Sequence, residues 1–177
     1  MALFTYSPID VTITVGGFHS VTGYADGTFV RITKDMKPFM KQRAMDGELS
    51  RMYADDDGYT VEISLQQSSP TNNIFSMLYN IDTTTSMGKV PLFIKDGRGQ
   101  TTFMAATAWI EQIPEVTFSN SMEIRTWRFG CADAALTIGG NGDTSTIEDS
   151  LLMGSSFLPV LKAFGLFNDN KQIKQDF

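Results

Sequence analysis

Histidine and cysteine are almost missing from this chain, whose 177 residues include only His19 and Cys131 of these types. A Ser-His-Asp or Cys-His catalytic arrangement would have to use His19, which falls in a predicted hairpin strand where an ordinary edge histidine is the commoner case. A zinc site needs several such ligands, and Cys131 alone fits a small buried apolar residue better than a nucleophile. We therefore expect no catalytic residues, no metal or cofactor site and no enzymatic activity.

The sequence also lacks an excess of positive charge, a membrane-spanning run and a secretion signal. Its net charge is −6 and its pI is about 4.7, which excludes the general basic footprint of a nucleic-acid-binding protein. Residues 1–10 lack the charged and apolar regions of a signal peptide, and no apolar run approaches the roughly 20 residues of a membrane span. A single cysteine rules out an internal disulfide and fits a reducing compartment. We expect no stable membrane insertion.

Alternation of apolar and polar residues is the main positive signal, and it predicts strands. Residues 11–15 and 59–66 alternate as half-buried strands do. The pair Gly16-Gly17 predicts a hairpin turn after the first of these strands. The run at residues 122–129 changes phase midway, which predicts a bulge or a strand covered on both sides. Further strands are predicted at residues 28–33, 90–95 and 101–113.

One helix interrupts the strands over about residues 70–81. Ser69 is suited to the N-cap and Pro70 to the first helical position. Residues 82–86, Asp-Thr-Thr-Thr-Ser, are predicted to end the helix. The apolar residues predicted to form its buried face are Ile74, Phe75, Leu78 and Ile81.

The length of the chain fits one domain with a real core and an appendage. We predict a β domain over residues 1–133 and a C-terminal extension over residues 134–177. A glycine-rich loop at residues 139–143 lacks the Gly-Lys-Ser/Thr of a phosphate-binding loop. Residues 144–167 are apolar but interrupted by glycine and proline, which predicts short helical pieces.

A long hairpin is predicted between residues 36 and 53, with Asp46-Gly47 in its turn. One interpretation is a charged surface hairpin whose methionines pack in the domain core. The other is an arm that lies on a neighbouring subunit, since methionine suits surfaces that repack on assembly and local positive charge attracts an acidic partner. The predicted arm residues are Met36, Phe39, Met40, Lys41, Arg43, Met45, Asp46, Glu48 and Met52.

Asp55, Asp56 and Asp57 form an acidic loop directly after this hairpin. A calcium loop needs carboxylates at alternate positions and a distant bidentate glutamate, and the three aspartates are contiguous with no such glutamate. A solvated turn is the ordinary alternative. A third alternative is a negative surface, made strong where the loop repeats around a ring.

Several blocks of this sequence resemble one known family. Residues 69–80, SPTNNIFSMLYN, look like the helix block of tail tube proteins from contractile-tailed bacteriophages. Residues 6–11, YSPIDV, are similar but weaker, and the resemblance extends from about residue 6 to residue 133. It rests on the order and spacing of packing residues rather than on a reactive site. Further blocks agree: Ala108-Trp109-Ile110, Pro114-Glu115-Val116-Thr117-Phe118 and Trp127-Arg128-Phe129.

The resemblance implies a mainly β (α+β) fold, with two packed antiparallel sheets forming a barrel-like sandwich and one flanking helix. It also implies a structural role, in which hexameric rings stack into the inner tube of a phage tail. The tube holds the tape measure protein during assembly and passes DNA transiently and non-specifically. The tail sheath, baseplate and tail terminator proteins are its implied partners. The implied location is the virion, and the host cytoplasm during assembly. The C-terminal extension, residues 134–177, is expected to pack on the tube exterior or on an adjacent subunit.

A tube that passes DNA should repel phosphate, so an acidic lumen fits the acidic composition. Glu62, on the polar side of its strand, is the predicted lumen-facing residue. The loop Asp55–Asp57 is instead predicted at a ring-to-ring contact or rim.

Two alternatives to a phage tail tube are kept. A phage-derived contractile injection particle uses the same kind of tube without DNA. A monomeric β-sandwich binding module would need an aromatic patch, which Trp109 and Trp127 could supply, although core packing is the commoner role for tryptophans in strands.

Overall fold

The computed structural model describes residues 6–140 and confirms a mainly β fold with one α-helix. A short 3₁₀ helix, Pro8–Asp10, precedes the first strand. No helix in this part of the chain is long and apolar enough to span a membrane. The elements are β1 Val11–Val15, β2 His19–Ser20, β3 Val30–Lys34, β4 Phe39–Arg43, β5 Leu49–Tyr53, β6 Tyr59–Gln66, α1 Thr71–Thr85, β7 Val90–Asp96, β8 Thr102–Gln112 and β9 Ile124–Thr137.

Two antiparallel sheets are present, as predicted, and they are unequal. Seven strands form one sheet in the order β2-β1-β7-β8-β9-β6-β3, and β4 and β5 form the other. Within residues 6–140 no pairing joins β2 to β3, so the large sheet does not close into a barrel. The small sheet contributes no residue to the core. The core therefore lies on the apolar face of the large sheet, and α1 contributes Phe75 and Leu78 to it.

The core forms where the alternating residues of the large sheet meet α1. In β6, Val61, Ile63 and Leu65 are fully buried, as the alternation predicts. From α1, Phe75 inserts between the rings of Trp127 and Phe129, with edge-on centroid distances of 5.5 and 5.1 Å. Each large apolar side chain buried in this way contributes about 1.5–3 kcal/mol to stability.

The start of α1 is fixed by Ser69 and Pro70, close to the predicted position. Ser69 Oγ accepts a hydrogen bond from the amide of Thr71 at 3.3 Å and donates one to the carbonyl of Thr22 at 2.6 Å. Pro70 precedes the first helical residue and has helical dihedral angles. Ser69 therefore satisfies an amide of the first turn and ties the helix to the sheet.

The predicted end of α1 is wrong, because the helix continues to Thr85. The hydroxyls of Thr84 and Thr85 donate to the carbonyls of Asn80 and Ile81 at 2.8 and 2.7 Å. These bonds satisfy the threonine hydroxyls within the helix, so the polar run does not break it. Ser86 then ends the helix in the left-handed conformation, with φ of +58°.

The last strand is also longer than predicted, because β9 ends at Thr137 rather than near residue 129. Its second half, rich in glycine and alanine, pairs with β8 up to the pair Thr102↔Thr137. The strand therefore crosses residue 133, where the sequence suggested that the domain ends. The predicted bulge or two-sided burial of this strand is wrong, because the register of β9 with β6 is unbroken from Ile124 to Cys131. Trp127 and Phe129 face the core, whereas Ile124 lies on the other face and is exposed. The helical pieces predicted at residues 144–167 lie outside the described residues.

Candidate assembly surfaces

The arm, residues 36–53, is a two-stranded hairpin formed by β4 and β5. At its tip Gly47 has a φ of +91°, a conformation that side-chain-bearing residues rarely adopt. The amide of Glu48 donates a hydrogen bond to Asp46 Oδ1 at 3.1 Å. The predicted Asp46-Gly47 turn is therefore confirmed.

Every residue of both arm strands is exposed. Arg51 lies over the ring of Phe39 with 3.4 Å between guanidinium carbon and ring centroid, and Tyr53 packs beside that ring at 5.3 Å. These contacts remain within the arm. The interpretation that its methionines pack in the domain core is therefore wrong. The exposed apolar side chains of the arm are Met36, Phe39, Met40, Met45, Leu49, Met52 and Tyr53.

Positive charge is in excess on the arm, although the protein as a whole is acidic. Among the described residues, no ion pair includes an arm side chain. These charges have no acidic partner within the described residues and are available to one on another molecule, with Arg51 also stacked on Phe39. The basic residues of the arm are Lys37, Lys41, Arg43 and Arg51, and the acidic ones are Asp46 and Glu48.

An acidic cavity of about 630 Å³ lies at the base of the arm. The predicted acidic loop forms one side of it, and residues distant in sequence form the other. Such a concentration of carboxylates produces a negative potential that attracts basic groups. The carboxylates that line the acidic cavity are Asp35, Asp55, Asp56, Asp57, Glu111 and Asp133.

Three carboxylates of the acidic loop already have partners. Asp55 accepts a hydrogen bond from the hydroxyl of Tyr53 at 3.1 Å, and this bond and the Asp55 charge raise the pKa of Tyr53. Asp56 accepts a bond from the amide of Gly58 at 2.8 Å, and Asp57 lies 3.6 Å from Lys34 Nζ. The partners hold the loop in shape and leave carboxylate oxygens facing the cavity.

Cys131 and His19 each have structural surroundings that account for them. Burial, with a smaller effect of the Asp35 charge, raises the pKa of the Cys131 thiol to about 12, so the thiol is protonated at neutral pH. His19 lies on the short edge strand β2, with Nε2 3.2 Å from Thr71 Oγ1. That contact links β2 to the start of α1 and gives His19 a structural explanation.

Trp109 and Trp127 lie on opposite faces of the large sheet. Trp127 is buried in the core, and its Nε1 donates to Asn72 Oδ1 at 2.9 Å. Trp109 covers Gly130 on the other face, where a Cβ on Gly130 would lie 2.8 Å from the indole. The two rings therefore do not form one aromatic patch. The hypothesis of a monomeric binding module required such a patch and is not supported by these two residues.

Glu62 is held between two arginines on the face of the sheet opposite the core. It pairs across strands with Arg31 and Arg128, and its carboxylate lies 2.8 Å from Arg128 Nη2 and 3.7 Å from Arg31 Nη1. Neither arginine was predicted from the sequence, because only the strand register brings them beside Glu62. The negative charge of Glu62 is therefore balanced by the two arginines. Its position in a lumen stays a prediction.

An apolar depression beside α1, here called the α1 groove, was also missed. It has a volume of about 410 Å³ and lies between α1 and the segment that follows β8. Ile113 and Val116 expose 47% and 59% of their surface at its wall. The sequence did carry a signal, since Asp82 is the only charged residue in α1. The residues that line the groove are Asn72, Ser76, Tyr79, Asn80, Ile113, Pro114, Val116, Arg125 and Trp127.

Solved structures of similar fold come from phage-like particles. The cap that terminates the tube of the anti-feeding prophage has a TM-score of 0.54, with 13% identity, over 77% of this chain and 93% of that one. A sheath/tube terminator of the extracellular contractile injection system PVC has a TM-score of 0.52, with 11% identity, over 78% and 100%. A chain of a native gene transfer agent virion has a TM-score of 0.51, with 10% identity, over 76% and 100%. These similarities define the fold class.

The family follows from sequence comparison. A profile of the bacteriophage PhiTE tail tube protein family matches residues 1–139, so the chain belongs to that family. Structural protein ORF10 of Pseudomonas phage KPP10 is 28% identical over 148 residues, which cover 80% of this chain and 86% of the relative. The resemblance to tail tube proteins is therefore confirmed at the level of the tail tube, and the protein is a structural component of the phage virion.

Proposed function

We propose that this protein builds the inner tube of a contractile phage tail, as hexameric rings stacked along one axis. In this proposal the tube holds the tape measure protein, passes DNA and lies inside a sheath. The arm is the single observation that carries it, since all of its strand residues are exposed. An isolated two-stranded hairpin is marginally stable in water. Contact with another subunit would cover its apolar side chains and stabilise it.

A contact between an arm and a different surface of the next copy is heterologous. Such a contact closes into a ring when its rotation allows, and a second contact of this kind repeats along an axis. The acidic cavity offers a surface of opposite charge for the arm. We propose that each arm lies against the acidic cavity of a neighbouring subunit, which places Asp55–Asp57 at a ring contact.

The open edges of the large sheet support the same proposal. The edge strands β2 and β3 each pair on one side only within residues 6–140. An unpaired edge readily joins a strand of another copy, and a closed assembly removes such edges. We propose that the large sheets of one ring pair edge to edge, so that the face bearing Glu62, Arg31 and Arg128 lines the lumen.

The contractile type of tail is supported by one of the similar structures, which is described as the sheath/tube terminator of an extracellular contractile injection system. We propose the tail sheath, baseplate and terminator proteins as partners. The assembled location is the virion tail, with assembly in the host cytoplasm. No catalytic role is proposed. DNA in the purified particles would distinguish a phage from a phage-derived injection particle.

Electron microscopy of the purified protein over a concentration series tests the proposal. The unaltered chain is expected to form rings or tubes as concentration rises. A variant in which Gly-Ser-Gly replaces residues 39–53 is expected to remain folded and monomeric. Asp35 is retained in that variant because its Oδ1 accepts a hydrogen bond from Thr60 at 2.6 Å. Tubes formed without the arm, or no assembly of the unaltered chain at any concentration, would contradict the proposal.

A tube terminator is a second candidate, because two of the similar structures are described as terminating a tube. A terminator closes the end of a tube, so each virion would contain a single ring of it. A tube protein would be present in many stacked rings. Quantitative mass spectrometry of purified virions, with the sheath protein as the reference, separates the two: a copy number near that of the sheath supports the tube.

A further inference from the structure

The α1 groove is an apolar surface that the described residues leave uncovered. A helix that faces water usually carries charges on its outer side. The outer side of α1 has none, and Met77 and Ile81 expose 54% and 40% of their surface there. Met77 and Ile81 line a neighbouring depression that shares Ser76 and Asn80 with the groove. On the groove wall, Val116 is 59% exposed. Contiguous apolar surface of this kind marks a site that binds another segment or protein.

The chain itself contains a segment suited to this groove. Residues 151–167, LLMGSSFLPVLKAFGLF, contain a single charge, at Lys162. A segment of this composition is stabilised by apolar cover. The family profile matches residues 1–139 and does not include this segment.

The distances allow this segment to reach the groove of its own subunit. The described chain ends at Gly140, whose carbonyl accepts a hydrogen bond from the Gln100 amide at 3.2 Å, beside the start of β8. The groove lies at the far end of β8, and eleven residues at about 3.3 Å each give a span of roughly 35 Å. Residues 141–150 cover about 33–36 Å when extended. An extended linker is therefore long enough to bring residue 151 to the groove.

We propose that residues 151–167 occupy the α1 groove of the same molecule. Their apolar side chains then cover Ile113, Val116 and the uncharged side of α1. The proposal concerns the monomer, so it stands or falls independently of tube assembly. A neighbouring subunit and the sheath protein are the other conceivable occupants of this surface, and the experiments below distinguish them.

Photo-cross-linking in the full chain identifies the occupant. Benzoylphenylalanine replaces Val116, which lines the groove, and the monomer is irradiated at low concentration. Mass spectrometry is expected to find cross-links from position 116 to residues 151–167 within one chain, with a yield independent of concentration. The same probe at Met45, on the arm tip, is the matched control and should not capture this segment. Cross-links between two chains, cross-links to other residues only, or no cross-link would each overturn the proposal.

Hydrogen exchange provides a second measurement. Replacing Leu158, Leu161 and Phe164 with aspartate should expose the groove, so that amides of residues 115–118 exchange about tenfold faster. The control places aspartate at Asn168, Gln172 and Gln175, which adds the same charge at polar positions of the same tail. Equal exchange at residues 115–118 in both triple variants would refute the proposal. Exchange in the arm should be the same in both variants.

Discussion

At the residue scale, surroundings rather than residue type decide what the chemistry-bearing side chains do. Glu62 lies between Arg31 and Arg128, so a residue chosen as a bare negative charge is part of a cross-strand ion network. Exposed ion pairs of this kind contribute little to stability, about 0–1 kcal/mol. Within the network two arginines face one glutamate, so Glu62 adds no net negative charge to this part of the sheet. If that face lines a lumen, any repulsion of phosphate must come from other residues.

The raised pKa of the buried Cys131 thiol predicts that the folded protein loses stability at alkaline pH. Its pKa is about 12 in the folded protein, whereas a thiol in an unfolded chain ionises near pH 8.5. Above that pH the unfolded state binds fewer protons, so the free energy of unfolding falls as pH rises, by up to about 1.4 kcal/mol per pH unit. Below about pH 8 the thiol contributes no pH dependence.

Urea unfolding under reducing conditions at pH 8, 9 and 10 measures this effect against Cys131→Ala. The alanine variant lacks the thiol, so its cavity changes stability by a constant amount while its pH dependence loses the thiol contribution. We expect the unaltered protein to lose roughly 1 kcal/mol more than the variant between pH 9 and 10. Parallel stability curves would show that the thiol ionises equally in both states.

At the element scale, the sequence predicts strands and the helix start well where a local pattern determines them. The alternation of residues 59–66 predicts β6, and Ser69-Pro70 predicts the start of α1. The second half of β9 was missed because its glycine and alanines have weak strand preference, and its pairing with β8 is a tertiary contact. The α1 groove and the cross-strand partners of Glu62 depend on the same long-range packing.

The C-terminus of α1 predicts a stabilising substitution. Ser86 has a φ of +58° and a ψ of +24°, a conformation that costs a residue with a side chain about 1 kcal/mol. Ser86→Gly should therefore raise the free energy of unfolding by about 0.5–1 kcal/mol. Ser76→Gly, at an exposed position within the same helix, is the matched control and should lower it by about the same amount. Chemical denaturation of the monomer measures both, and destabilisation by Ser86→Gly would contradict the assignment of the left-handed cap.

At the scale of the whole molecule, the arm and the acidic cavity are two surfaces of opposite charge on one chain. A self-complementary pair of this kind allows an acidic protein to assemble despite its net charge of −6. Mutual repulsion between subunits opposes assembly, and the arm supplies local attraction. Salt screens both the repulsion between subunits and the attraction of the arm, so a salt dependence of assembly does not identify the contact. Reversing the charge of each surface in turn does identify it.

Charge reversal provides the test of the arm–cavity contact. Lys41→Glu with Arg43→Glu, or Asp55→Lys with Glu111→Lys, places like charges together and should raise the critical concentration for tube formation about tenfold or more, equivalent to about 1.4 kcal/mol. Sedimentation and electron microscopy measure that concentration. The variant with all four substitutions restores opposite charges and should recover much of the assembly.

Asp26→Lys with Glu115→Lys is the matched control for the cavity reversal. It changes the net charge by the same amount, at exposed positions that do not line the acidic cavity. If the control impairs assembly as strongly as the cavity reversal, net charge rather than the arm contact governs assembly. If each pair impairs assembly and their combination does not rescue it, the arm binds a surface other than the acidic cavity. Recovery in the fourfold variant alone identifies the two surfaces as partners, because only opposed charges on contacting groups compensate each other.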